Sequence, residues 1–302
     1  MPRNAPPRIA IPMPHSLDRE YAESAIPQYE RAIERAGGEP VRIPLDQTAS
    51  EVKKRIEHCD GVLLPGSNAD VDPARFNAPR SSHTAIPDPR RDAVDDLLLQ
   101  DAYDKRKPIL GICYGLQSLN VFRAGSLIQH IPDFLPEQLR ARVNHEAGGK
   151  VAVAHPVEIE SDSKLAAIVN GKAWQGQPQE ASVRADREGR GFSRADRNRK
   201  VGRALAPEGR LVIPVNSSHH QSAETIGNDL RISARCTEDG IIEALEGTAP
   251  DHFVIAVQWH PERSVELDEP SRAIFRALIE AAATRAGETE AEETQPAESQ
   301  RK

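Results

Sequence analysis

In the first half of the chain, short apolar runs alternate with segments whose apolar residues recur at helical spacing. The apolar runs have strand length and are rich in Ile, Val and Leu, and they occupy 8–11, 40–43, 61–64 and 108–112. Helical spacing predicts helices over 18–36, 48–58 and 92–104. Pro27 predicts a break or a late start in the first helix, which Gly37 and Gly38 end. This alternation predicts a mainly parallel sheet with helices on its faces.

After about residue 150 the pattern changes to strands with little helix between them. The predicted strands are 151–159, 211–215, 230–236, 241–246 and 253–258. Antiparallel strands of this kind commonly extend a parallel sheet. A closing helix over 270–284 completes one α/β domain over residues 1–283, and the polar stretch 284–302 is expected to be a disordered tail.

The segment from about 171 to 210 stands apart from this pattern because it is charged, contains glycine and has few large apolar residues. Forty residues of this kind are unusual inside one domain and indicate an insertion. The sequence leaves open whether it is a solvated loop, a lid over substrate or a basic docking patch.

Composition narrows the class of protein. The 302 residues carry a formal charge of −7, which argues against a nucleic-acid-binding protein. The three cysteines form no C-x-x-C pair and their odd number gives no disulfide framework, so a reducing cytoplasm is expected. The N-terminus lacks a signal-peptide pattern and no apolar run is long enough to span a membrane, so no membrane partner is expected.

The stretch Pro108–Gln117, PILGICYGLQ, carries the most chemical information. A buried-strand pattern runs into Cys113, which Gly111 and Gly115 bracket, and apolar-periodic positions follow over 116–123. A sharp strand-to-helix turn of this kind exposes one nucleophile at the end of a sheet, and the helix N-terminus favours its thiolate. Cys113 is therefore the candidate nucleophile; an inert buried cysteine is the alternative.

Partners for this cysteine occur at two other predicted strand ends. His260 could act as its acid and base, with Glu262 two residues later on the same side to orient the imidazole. The amide of Gly66 or Ser67, after strand 61–64, could pair with the amide of Tyr114 in an oxyanion hole. Ordinary strand-end turns would explain either motif alone, so only the combination of the motifs indicates a catalytic site.

Together these motifs resemble the class I glutamine amidotransferase superfamily, and specifically its gamma-glutamyl hydrolase branch (peptidase C26; gamma-glutamyl-gamma-aminobutyrate hydrolase-like). The matching segments are 29–44, 61–76, 90–100, 108–121, 125–131, 155–159, 215–221, 239–246 and 257–262. The resemblance implies a flavodoxin-like α/β/α sandwich and a catalytic triad of Cys113, His260 and Glu262. It implies that Gln117 holds the glutamyl group. Tyr114 stands where the branch usually has arginine, which predicts an altered pocket rim.

The stretch VNSSHHQ at 215–221 matches a signature of the hydrolase branch near the mouth of its active site. The resemblance makes His219 and Gln221 candidates for substrate contact; hydrogen bonding of these side chains to neighbouring loops is the alternative.

The activity that this resemblance implies is hydrolysis of a gamma-glutamyl amide, such as gamma-glutamyl-4-aminobutyrate, through a thioester on Cys113. It implies no metal and no organic cofactor, a small gamma-glutamyl substrate, and a homodimer. Two alternatives stay open: a glutaminase subunit that supplies ammonia to a synthase, and a non-catalytic metabolite-binding protein that keeps the fold. The identity of the leaving amine is not encoded in any motif.

Overall fold

A nine-stranded sheet with helices on both faces organises residues 5–171 and 210–294, the part of the chain that the computed structural model describes. The strands are β1 (Arg8–Pro12), β2 (Glu39–Ile43), β3 (Gly61–Leu64), β4 (Ile109–Ile112), β5 (Leu127–Ile128), β6 (His155–Ile159), β7 (Leu211–Val215), β8 (Ser222–Ala223), β9 (Leu230–Cys236), β10 (Ile242–Gly247) and β11 (Val254–Val257). The helices are α1 (Arg19–Arg35), α2 (Ala49–Ile56), α3 (Pro89–Asp104), α4 (Tyr114–Phe122), α5 (Ile131–Phe134), α6 (Glu137–Arg140), α7 (Lys164–Val169) and α8 (Glu269–Thr294).

The strand order is β2-β1-β3-β4-β11-β10-β9-β6-β7. The first five strands in this order are parallel, and β10, β9, β6 and β7 continue the sheet with antiparallel pairs. The predictions of a mainly parallel sheet and of an antiparallel extension are therefore confirmed. The short strands β5 and β8 pair separately.

Two apolar layers sandwich the sheet and make the fold a flavodoxin-like α/β/α type. On one face, α1, α7 and α8 contribute residues such as Ile26, Leu165 and Leu278. On the other, α2, α3 and α4 contribute residues such as Leu98 and Leu119. Strands β4 and β11 lie in the middle of the sheet, so both faces of these strands are covered and the site at their carboxyl ends stands on a rigid base.

Two sequence predictions differ from the structure, and a third concerns residues that the structure does not describe. Helix α1 runs through Pro27 without a break, because Ile26 and Tyr29 beside it are buried and their packing offsets the lost hydrogen bond. Helix α8 continues past Thr284 to Thr294, so the predicted disordered tail is wrong over that stretch; its Ala- and Glu-rich sequence has high helix propensity. Most of the predicted insertion, 172–209, lies outside the described residues, and so do 295–302.

Within the described ranges, no helix combines the length and the apolar character that a membrane crossing requires.

Candidate active site

Cys113 occupies a sharp turn between β4 and α4. Its φ is 53° and its ψ is −106°, a combination that a non-glycine residue adopts only when its surroundings enforce it. The enforcement comes from close packing, because a Cβ on Gly115 would lie 2.1 Å from the Leu64 carbonyl oxygen. A Cβ on Gly111 would lie 2.8 Å from the Gly115 carbonyl oxygen. The two glycines therefore allow the turn that presents the Cys113 thiol.

His260 reaches the same edge of the sheet because β11 lies parallel to β4, with Val257 paired to Ile112. Its Nδ1 lies 2.7 Å from Oε1 of Glu262, and both side chains are buried. Glu262 lies in a 3-10 turn, Pro261–Arg263, and not in an extended strand as the sequence suggested. The tight turn still places the carboxylate beside the imidazole, which is the arrangement the prediction required.

The charge state of His260 follows from its neighbours. Burial alone would lower its pKa, but the negative charges of Glu262 and Cys113, with hydrogen bonds to both, raise the pKa to about 9. The imidazole is therefore protonated at neutral pH. A protonated imidazole beside a cysteine stabilises the thiolate, the nucleophilic form.

Asn216 fixes the backbone of His260 from both sides. Its Nδ2 donates to the His260 carbonyl oxygen at 2.8 Å, and its Oδ1 accepts from the His260 N–H at 2.9 Å. Sequence reasoning did not give Asn216 a role, although it lies in the VNSSHHQ stretch. The signal that could have identified it is an asparagine directly after the predicted strand 211–215, at the start of the matched VNSSHHQ stretch.

Gly66 lies beside the nucleophile, where there is no room for a side chain. A Cβ built on Gly66 would lie 3.0 Å from Cε1 of His260 and 3.6 Å from Cβ of Cys113, so a side chain there would enter the site. In this structure the Gly66 N–H donates to the hydroxyl of Tyr29 at 3.1 Å. The turn that carries Gly66 is held by the fully buried Arg91, whose Nη2 donates to the Pro65 carbonyl oxygen at 2.7 Å.

The other two predicted oxyanion-hole residues lie close by in the chain. Tyr114 begins α4, and amides in the first turn of a helix have no acceptor within it, so its N–H is available beside Cys113. Ser67 follows Gly66 and its hydroxyl accepts from the Ala69 N–H at 3.1 Å. The assignment of Gly66, Ser67 and Tyr114 to an oxyanion hole stays a prediction.

The side chain of Tyr114 is buried, and the predicted change at the pocket rim stays a prediction. It is 1% exposed, and its hydroxyl donates to Oδ1 of Asp92 at 2.6 Å. The Arg91 guanidinium lies 4.8 Å from the centre of its ring. Tyr114 therefore packs into the interior beneath the turn, because a buried carboxylate and a buried cation both lie on that side.

The predicted substrate residues are buried next to one another. Gln117 Nε2 lies 3.4 Å from the Gln221 carbonyl oxygen and 3.5 Å from Oε1 of Gln258. Gln221 Nε2 donates to the Gln129 carbonyl oxygen at 3.2 Å. His219 Nδ1 lies 2.9 Å from the Gln221 carbonyl oxygen. Contact of Gln117, His219 and Gln221 with substrate stays a prediction.

His219 belongs to two further features of the structure. A cavity of about 210 Å³ is lined by His219, His220 and the loop around Asn144. His219 also belongs to a buried group of three histidines and Glu243, whose donor atoms are of the types that bind metals.

Comparisons with known proteins give the family of this chain. A family model described as Peptidase C26 matches residues 10–184 and 194–262. A Rickettsia prowazekii protein, provisionally named glutamine amidotransferase-like, is 34% identical over 84% of this chain and 87% of its own length. Gamma-glutamyl-gamma-aminobutyrate hydrolase of Escherichia coli K12 is 28% identical over 91% of this chain and 93% of its own.

Among solved structures, a Thermoplasma acidophilum protein provisionally assigned to GMP synthase aligns with a TM-score of 0.56. The alignment covers 95% of this chain and all of that one at 14% identity, which shows a shared fold.

Proposed function

The chain belongs to the Peptidase C26 family, whose relatives act on C–N bonds, and on this premise we propose that it hydrolyses the gamma-glutamyl amide of a small gamma-glutamyl amine. The products are glutamate and the free amine. Gamma-glutamyl-4-aminobutyrate represents the substrate class, because a relative that shares nearly the full length carries that activity in its name.

The convergence of three strand ends on Cys113 is the observation that supports this proposal most directly. The thiol lies in a strained turn, the buried His260–Glu262 pair lies at the end of the adjacent strand, and Gly66 lies so close to Cys113 and His260 that a side chain there would contact both. Acyl transfer needs a nucleophile, an acid and base, and donors for the developing oxyanion, and each has a candidate group here.

In the acylation half-reaction, the Cys113 thiolate attacks the gamma-carbonyl carbon and a C–S bond forms. The carbonyl oxygen becomes an oxyanion that the amides of Gly66 and Tyr114 would stabilise, and Gly66 would exchange the Tyr29 hydroxyl for it. The tetrahedral intermediate collapses as its C–N bond breaks, and His260 gives its proton to the departing amine. The product on the enzyme is a gamma-glutamyl thioester.

In the second half-reaction, neutral His260 takes a proton from water as the water oxygen attacks the thioester carbonyl carbon. The C–S bond then breaks, glutamate leaves, and the thiolate–imidazolium pair is restored. Glu262 keeps the imidazole in one orientation throughout, through the 2.7 Å contact with Nδ1.

The test is intact-mass spectrometry of the purified protein with a panel of gamma-glutamyl amines that includes glutamine. We expect an added glutamyl unit on Cys113, release of glutamate, and loss of both in Cys113→Ala. Cys59→Ala is the matched control, because Cys59 is a buried thiol between α2 and β3 and the variant should keep the adduct. Hydrolysis that persists in Cys113→Ala would exclude the assignment.

An amidotransferase-type glutaminase is the second candidate, favoured by the name of the Rickettsia relative. The same panel separates the two functions. Glutamine as the best substrate, with strong activation by a partner protein, would indicate a glutaminase subunit. Neither an adduct nor released glutamate from any compound would indicate a metabolite-binding protein without catalysis.

A further inference from the structure

Three histidines and one glutamate meet in the interior beside the antiparallel part of the sheet. His145 comes from the irregular segment before β6, His155 begins β6, His219 follows β7, and Glu243 lies in β10. Each of the four is 5% exposed or less. Their donor atoms all lie within 4.8 Å of one another.

The distances within this group fit a metal better than they fit hydrogen bonds. Glu243 Oε1 lies 3.4 Å from His145 Nδ1, 3.4 Å from His155 Nε2 and 3.5 Å from His219 Nε2. The edge of a tetrahedron around Zn²⁺ is about 3.3 Å for the usual Zn–N and Zn–O distances. Three of the six edges of such a tetrahedron therefore have nearly this length, and the donor atoms all lie within 4.8 Å of one another.

The same four donor atoms have no hydrogen-bond partner. His145 Nδ1, His155 Nε2, His219 Nε2 and Glu243 Oε1 are all buried, and beyond their mutual contacts of 3.4–3.5 Å none makes a hydrogen bond within the described structure, which is costly and rare in native proteins. A bound cation would satisfy all four at once.

Two of the histidines have the outer contacts that metal-bound histidines usually have. His145 Nε2 lies 2.8 Å from Oδ2 of Asp239, and His219 Nδ1 lies 2.9 Å from the Gln221 carbonyl oxygen. Such contacts fix the tautomer that leaves the other nitrogen free for the ion.

We propose that His145, His155, His219 and Glu243 form a four-coordinate site for a divalent first-row transition metal, with Zn²⁺ the ion that this set of imidazole and carboxylate ligands suits best. All four positions are filled by protein, which is typical of a structural site. The ion would join the segment before β6, which has no regular secondary structure over 141–154, to β6, β10 and the loop after β7. His219 then serves as a ligand.

The first test is elemental analysis of protein purified without chelator. We expect about one zinc or other first-row ion per chain, lost in Glu243→Gln and in His155→Ala. His220→Ala is the matched control, because the neighbouring imidazole turns away to Oδ1 of Asp70 at 3.1 Å and its removal should leave the metal in place. Metal-free protein that takes up no Zn²⁺ on titration would overturn the proposal.

A catalytic thiolate also binds zinc, so the measurement is repeated in Cys113→Ala. Retention of the metal there supports the proposed site, and its loss would place the ion on the nucleophile and overturn it. X-ray absorption of the wild-type holoprotein identifies the ligand atoms directly and does not depend on whether the ligand variants fold. Imidazole scattering without sulfur supports the site, whereas a sulfur ligand excludes it.

Stability provides the last readout. Removal of the metal by a chelator from Cys113→Ala should lower the Tm by about 5 °C or more, and added Zn²⁺ should restore it. The variant pair His83→Ala and His130→Ala controls for weaker binding at the more exposed His83–His130–Asp133 group, and should behave as its parent. An unchanged Tm after complete removal of the ion would overturn a structural role.

Discussion

Asn216 offers a quantitative test of how the catalytic histidine is positioned. In Asn216→Ala, the His260 N–H and carbonyl lose buried partners at 2.9 and 2.8 Å. An unsatisfied buried group costs about 1–3 kcal/mol, so the free energy of unfolding should fall by roughly 2–6 kcal/mol. The larger expected effect is on the reaction, because a 1 Å displacement of a reacting group costs on the order of 10²-fold in rate.

The assay measures kcat and KM of Asn216→Ala and of the wild type with the best gamma-glutamyl substrate, at a temperature well below the Tm of both proteins. The rates are divided by the concentration of active sites that can be alkylated. Asn120→Ala is the matched control: Asn120 is also a buried amide that binds main chain, contacting the Ser126 and Thr225 carbonyl oxygens and the Gly227 N–H. It should lose comparable stability while its kcat stays near that of the wild type. Equal losses of kcat in the two variants would refute a positioning role for Asn216.

Three further predictions concern the same site. Glu262→Gln removes one of the negative charges that raise the pKa of His260 to about 9. The fall in activity at high pH should therefore move to lower pH, and kcat should drop roughly 10²–10⁴-fold. A fall in activity that stays at the same pH would contradict this. Gly115→Ala should prevent folding to soluble enzyme, because its Cβ would lie 2.1 Å from the Leu64 carbonyl oxygen; a normal yield and Tm would be the contrary result. Iodoacetamide at neutral pH should label Cys113 first in peptide mapping, because burial raises the pKa of Cys59 to about 11 and that of Cys236 to about 12. Faster labelling of either would contradict the assignment of Cys113 as the nucleophile.

The sequence predicts best those features that depend on neighbouring residues. The turn at Cys113 needs two glycines, a strand before it and a helix after it, and all of these lie within ten residues of Cys113 along the chain. The parallel order of the first strands follows from their alternation with helices. Errors arise where packing competes with a local signal, as at Pro27, where a buried helix face outweighs the cost of proline.

Contacts between distant segments could not be predicted in the same way. His155 and Glu243 belong to segments far apart in the sequence, and the pairing of β6, β9 and β10 brings them together. Histidine and glutamate at irregular spacing give no counterpart to a C-x-x-C pair, so no local motif indicated a metal, and the family resemblance implied none. Tyr114 shows the same limit, since its burial depends on Asp92 and Arg91 of another helix.

Glu243 connects the proposed metal site to the proposed chemistry. Its carboxylate faces the three histidines, while its carbonyl oxygen accepts from the Gln258 N–H at 2.7 Å, two residues before His260. On the other side, the loop that carries His219 also carries Asn216, which binds both backbone groups of His260. Metal loss would therefore loosen the support of His260 without removing any group that reacts. Reduced activity in a ligand variant would then reflect the placement of His260, and only metal content and spectroscopy can separate such a variant from one that alters the nucleophile.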